Sequence, residues 1–144
     1  MSTVKILGKD KLLRHLEEIA KMDLEDSVNK ATVFIHAQAK NYATFSRGYS
    51  HGTLKGSIHM DVKPKKNEWI GKVFTNLYYA PYVEFGTGQR GNGSYPYASE
   101  LDFSLAYKGD WAGMKAQPYM YPAAKRGREY VKKVLKADIK SKIR

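Results

Sequence analysis

The residues with the strongest claim to chemistry lie between positions 84 and 91. Glu84 is the only acid between Glu68 and Glu100, and Gly86-Thr-Gly-Gln-Arg-Gly91 is a literal GxGxxG. That spacing cradles a dinucleotide pyrophosphate where a buried strand precedes it, a helix opens within it and an acid follows about twenty residues on. Here an aromatic run precedes it, and Gly93 and Tyr95-Pro96 follow in place of a helix. No βαβ unit surrounds the motif, so a nucleotide site is not expected. A lone carboxylate among aromatics is more often solvated, or paired with Arg or Lys, than catalytic. A structural role is the expectation for Glu84. Asp61, Glu68, Glu100 or Asp102 would each make a dyad with a histidine, but no spacing selects a pair. His51 and His59 have no third ligand nearby, and the chain has no cysteine, which removes disulfides and thiolate metal sites. There is no P-loop, no Gly-x-Ser-x-Gly elbow and no His-Glu-x-x-His. Neither catalysis nor a cofactor is expected.

The glycine motif closes an eleven-residue stretch, Tyr78-Tyr-Ala-Pro-Tyr-Val-Glu-Phe-Gly-Thr-Gly88, around which the chain is organised. Its spacing predicts a short helix with Tyr78, Tyr82 and Phe85 on one side. Pro81 suits the first turn, where its missing N–H is not needed. Gly86 falls where the helix ends and a positive φ is wanted. Phe85 is expected in the core, where truncation to alanine costs about 3–5 kcal/mol and leaves the protein insoluble.

Two helical segments precede this stretch. Asp10 is placed to cap one running to Lys21, with Leu12, Leu13, Leu16, Ile19 and Ala20 as its apolar stripe. Asp23 offers a second cap, after which Leu24, Val28, Ala31, Ile35, Ala39 and Tyr42 recur with the 3.6-residue period. The two segments also read as one long helix kinked near Met22-Asp23. His15 and His36 are read as packing or surface residues. Residues 44–57, with three glycines, read as a long loop whose Arg47, Tyr49, His51 and Lys55 give a basic, aromatic character. Residues 57–63 alternate apolar Ile58, Met60 and Val62 with polar positions, residues 64–67 make a turn, and Trp69 opens a returning strand. Residues 87–117 lack strong periodicity and read as loop with short strands or turns. Pro122 opens a last helix with Ala124, Gly127, Val131, Val134 or Leu135, and Asp138 or Ile139 on its inner face. Gly127 on that face predicts a close helix–backbone approach, or else marks a weak spot. The fold class is α+β: a long, kinked N-terminal helix and a C-terminal helix packed on a small antiparallel sheet, with long loops, in a single domain over 1–144.

The 144 residues suffice for a core without staples. No apolar run approaches the roughly 18 residues of a membrane span, and the N-terminal run is short for a signal peptide. The net charge of +11 is uneven. Residues 1–30 balance, whereas the last twenty carry nine Lys and Arg against Glu129 and Asp138. Such an end attracts nucleic acid or an acidic partner, or else is a solvated face whose cations suit the helix dipole. Both readings stand on sequence alone.

Residues 79–88, followed by Ala116-Gln-Pro-Tyr-Met-Tyr-Pro-Ala123 and a basic terminal helix, resemble the head–tail joining and tail-completion proteins of long-tailed bacteriophages. That family is named after the gene-ten product of a lambdoid coliphage. Residues 52–58 resemble the family's lead into its first strand, and the helix–hairpin–helix order matches from about Lys9 to Ile139. Tyr119 and Met120 depart conservatively from an expected Phe and Leu-like residue. The resemblance marks Tyr79, Ala80, Tyr82, Val83, Glu84, Phe85, Gly86, Thr87, Gln117, Pro118 and Pro122 as motif residues for assembly or core. Arg47, Tyr49, Arg90, Tyr95 and Trp111 are candidate positions in loops ordered on assembly, and Tyr78, Tyr82, Trp111 and Tyr119 suit interface anchors. The resemblance implies a non-enzymatic virion subunit that forms a homo-oligomeric ring, commonly six-fold, at the neck. It would contact adaptor or connector proteins and the tail tube or tail terminator, with DNA passing through without sequence readout. Host cytoplasm during assembly and the virion afterwards are the implied locations, with no membrane contact. A basic nucleic-acid-binding module without catalysis is the alternative that explains the charge alone.

Overall fold

The computed structural model describes residues 8–20, 23–43, 51–66 and 68–142. Arg47 and Tyr49 lie outside them. The architecture is α+β: an antiparallel hairpin lies on one side of a central helix, and the C-terminal helix lies on another.

Helix α1 (Lys9–Ala20) and helix α2 (Glu25–Tyr42) are separate. Asp10 sits in the first turn of α1, behind Gly8 at φ 88°. Ahead of α2, the Asp23 carboxylate accepts the Glu25 N–H at 2.9 Å, but the N-cap position is taken by Leu24 rather than by Asp23. The α1 stripe is not buried. Leu12, Leu13 and Leu16 are 60%, 46% and 51% exposed, so its periodicity correctly marked an amphipathic helix but not one packed in this chain's core.

Helix α2 buries Ala31 and Ala39 where the 3.6 period put them. A one-turn helix, α3 (His51–Gly56), interrupts the segment expected to be loop and plants Leu54 in the core. Strands β1 (Ile58–Lys65) and β2 (Glu68–Thr75) pair from Ile58↔Thr75 to Lys65↔Glu68, with Lys66 at φ 51° in the turn. The strands thus run further toward the turn than expected, and Pro64 pairs with Trp69 inside the ladder. His36 Nε2 lies 2.9 Å from the Ile58 carbonyl oxygen and ties α2 to β1. Gly71 lets β2 close on α2, because a Cβ there would lie 1.9 Å from Thr32 Oγ1.

The last helix, α6 (Met120–Lys142), runs antiparallel to α2. Ser27 Oγ donates to Asp138, the Phe34 and Tyr130 rings stack at 4.2 Å and 8°, and Arg126 reaches Gln38 at 3.1 Å and Tyr42 at 3.3 Å. Gly127 does make a close approach, but to a side chain rather than to the backbone expected: a Cβ there would meet Ile35 Cγ1 at 2.2 Å. Ala123, fully buried, takes the inner position assigned to exposed Ala124. The core joins Ala39, Ala43, Leu54, Ile58, Ala80, Val83, Tyr119 and Ala123.

Candidate functional site

Helix α4 (Ala80–Phe85) carries the aromatic stretch, with Pro81 in its first turn and Gly86 at φ 80° as its C-cap. Its inner face is not aromatic. Ala80, Val83 and Glu84 are buried, Tyr78 precedes the helix at 84% exposure, and Tyr82 faces out at 56%. Phe85 is partly buried, with its ring 5.0 Å from Tyr95 and 6.0 Å from Phe103. A small helix selects its smallest side chains for the tightest contact, which leaves the tyrosines outside.

Glu84 is neither solvated nor paired with Arg or Lys. Its Oε2 accepts the backbone N–H groups of Tyr119 at 2.7 Å and Met120 at 2.9 Å. Its Oε1 accepts the N–H of Tyr121 at 3.0 Å and the Tyr95 hydroxyl at 3.3 Å. The first N–H groups of a helix have no intrahelical partner and sit at the positive end of its dipole. A carboxylate thirty-five residues upstream therefore caps α6 and fastens the central motif to the segment that leads into the last helix. Gln117 N–H donates to the Val83 carbonyl at 2.8 Å and completes the joint. Pro118 and Pro122 flank it, half-buried.

Around this joint Tyr95 and Tyr97 pack edge to face with centroids 5.8 Å apart, and Tyr97 and Tyr121 lie tilted at 5.0 Å. Tyr95 is 4% exposed and Tyr119 1%, so both belong to the core rather than to the interface positions proposed for them from sequence. Glu100 bonds Lys125 at 2.7 Å and Tyr121 at 3.2 Å over the cluster, and the Lys125 hydrogen bond holds its carboxyl below the usual range. Burial, and then the nearby Glu84, push the Tyr95 and Tyr119 hydroxyls well above the ordinary tyrosine range. Because folding disfavours both tyrosinates, the stability tied to their neutral forms is complete below the unfolded value near pH 10 and is lost as pH rises beyond it. Unfolding midpoints are therefore expected to fall between about pH 10 and pH 12, and less steeply in Tyr95→Phe, measured by denaturant titration.

The GxGxxG is filled by its own chain. A one-turn helix, α5 (Gly88–Gly91), follows α4 rather than a strand. The Gln89 and Arg90 N–H groups, which a phosphate would need, donate to the carbonyls of Trp111 at 3.0 Å and Ala112 at 2.9 Å. Thr87 and Met114 exchange N–H···O bonds at 2.8 and 2.9 Å. Gly88 at φ 60° and Gly113 at φ 62° let the two segments cross in backbone contact. Residues 107–117 are thus laid on the central motif, with Tyr107 Oη donating to the Phe85 carbonyl at 2.9 Å. The loop signal was correct, but the partner that consumes the glycines lies over twenty residues away.

Between α4 and this crossing segment runs an open groove of about 510 Å³, walled by Tyr79, Tyr82, Val83, Trp111 and Met114 and rimmed by Lys108 and Asp110. Trp111 is 53% exposed, and Arg90 is exposed nearby. The His59 ring lies beside Phe74 at 5.9 Å, and no group of three or more His, Asp or Glu among the described residues is arranged to hold a metal. No helix among them is long and apolar enough to cross a membrane. Chemically, the junction is a set of hydrogen bonds and packed rings with an apolar groove at its surface.

No curated protein and no solved structure matches the chain. Residues 9–86, from α1 through the Gly86 cap, match the model of a bacteriophage family, HK97-gp10-like, whose founding protein is provisionally assigned to the tail. That match covers more than half of the chain and all of α4, and it stops short of the 116–123 segment that α4 holds. The chain belongs to the HK97-gp10-like family of bacteriophage tail components.

Proposed function

We propose that the protein is a non-catalytic structural subunit that forms a ring, six-fold in the virion, at the junction of head and tail. In this reading it joins the capsid connector or adaptor proteins to the tail tube or tail terminator, and genomic DNA passes through the ring without sequence readout. The subunits assemble in the host cytoplasm and remain in the neck of the virion. The observation that carries the reading is the Glu84 joint, in which the two motif segments are locked together by bonds that leave the carboxylate no capacity for catalysis. Rigid placement of Tyr79, Ala80, Val83, Gly86 and Gln117 beneath exposed Tyr78, Tyr82 and Trp111 supports an assembly surface on a fixed base.

The exposed cations of α6, among them Lys132, Lys133, Lys136 and Lys140, favour a second reading, a nucleic-acid-binding module. A strongly basic lumen would retain DNA during ejection, so in the ring reading this face lies away from the channel. Negative-stain imaging of a phage lacking the gene tests the first reading, with filled heads and finished tails expected side by side but unjoined. Joined particles would overturn it. Micromolar binding of a monomer to a short DNA duplex, falling steeply with salt, would support the second.

A further inference from the structure

Two apolar surfaces of this chain lack a cover among the described residues, and they have opposite shapes. One is convex: Leu12, Leu13 and Leu16 on α1, about half exposed. The other is concave: the groove between Tyr82 on α4 and Trp111 on the crossing segment. The fold keeps them apart. The antiparallel α2–α6 pair puts the start of α2, and the α1 that leads into it, at the Asp138 end of α6, while Glu84 holds the groove at the Met120 end. Those ends are about 27 Å apart along the helix, and α1 is only about 18 Å long. The stripe cannot reach its own groove.

We infer that α1 of one subunit lies in the groove of the next, so that each copy gives its stripe to one neighbour and receives a stripe from the other. The inference rests on the ring reading and supplies its contact. An amphipathic helix in an apolar groove is anchored by residues at helical spacing, and Leu12, Leu13 and Leu16, with Ile19 following, have that spacing over about 10 Å. Charge sets the direction. The first half of α1 carries Lys9, Lys11 and Arg14 against Asp10, a net positive end, and the second half carries Glu17 and Glu18. The groove rim offers one charge of each sign, Asp110 for the basic half and Lys108 for the acidic half. A contact between unlike patches is head-to-tail, and such contacts close into rings when the rotation between copies permits.

The absence of cysteine gives a clean test. Glu17→Cys and Lys108→Cys keep the leucine stripe, the apolar walls of the groove, Glu18 and the charges of the basic half, giving up only the charges at positions 17 and 108, and the two variant proteins are mixed and treated with a short bis-maleimide. The mixed product, bridging position 17 of one copy to position 108 of the next, is expected in roughly tenfold excess over either like pair, the ratio that a preference of about 1.4 kcal/mol gives. Leu13→Asp/Leu16→Asp is expected to stay folded by circular dichroism while losing both cross-link and assembly. Oligomers without the mixed product would overturn this contact and leave the ring reading intact. Open chains or dimers carrying the mixed product would keep the contact and overturn the closed ring. Monomers with no cross-link at high concentration would overturn both.

Discussion

Glu84→Gln is expected to lower the unfolding free energy by about 3–5 kcal/mol, among the largest losses open to a single substitution in this chain. The carboxylate accepts three backbone N–H groups and a tyrosine hydroxyl while only 5% exposed. Glutamine retains one acceptor oxygen and turns an NH2 group toward donors, so at least one N–H at the start of α6 is left buried without a partner. At this chain length the loss corresponds to a fall of roughly 6–20 °C in the melting midpoint, read by circular dichroism. Glu84→Ala is expected to do at least as much, because it also opens a cavity beneath Tyr95. Glu84→Asp, whose carboxylate falls one methylene short, should recover only part of the difference. A midpoint within about 2 °C of the parent for Glu84→Gln would mean that water satisfies those amides and that the joint does not hold the two segments together.

The second large effect is expected at Gly113. The residue has φ 62°, and a Cβ there would stand 1.9 Å from the Thr87 carbonyl oxygen and 2.3 Å from its carbon. These are backbone atoms, which cannot swing aside as a side chain does. Left-handed backbone costs an L-residue about 1–2 kcal/mol, and overpacking about 1–3 kcal/mol more. Gly113→Ala is therefore expected to destabilise by about 2–5 kcal/mol and to break the Thr87–Met114 exchange of hydrogen bonds. Amide hydrogen exchange at Thr87, Gln89, Arg90 and Met114 measures this directly, with protection lost at all four. Gly93→Ala is the control: its φ is 70° but no atom lies within 4 Å, so it should show the conformational penalty without the collision. Equal effects at the two glycines would remove the close crossing as the cause.

The contrast between Gly113 and Glu84 shows what the sequence makes legible. Periodicity located α2 and α6, because burial of every third and fourth residue leaves its mark within one segment, whereas the apolar alternation that marked the hairpin is not matched by burial, with Met60 39% exposed. Pro81 and Gly86 bracketed α4 for the same local reason. Gly127 announced the α2–α6 contact because a missing side chain on an inner face has few other uses. The partner of Glu84 was not legible. It is a set of backbone N–H groups, which every non-proline residue carries, and they lie 35 to 37 residues away. The GxGxxG misleads in the same way, since backbone crossing backbone and backbone crossing phosphate both demand glycine. The leucines of α1 are a different case. Their spacing states that one face is apolar, but whether that face meets the same chain or another is a question of topology.

The hairpin has a consequence for how many copies can associate and in what form. Its two strands leave outer edges that further strands could extend, the usual start of fibrous growth. Pro64 contributes no N–H to either side of β1, and although Lys63 and Lys65 pair with Asp61 and Glu68, exposed Lys66 and Lys72 leave the ribbon with a net positive charge that disfavours stacked duplicates. Elongation by sheet extension is thereby discouraged even when many molecules crowd together.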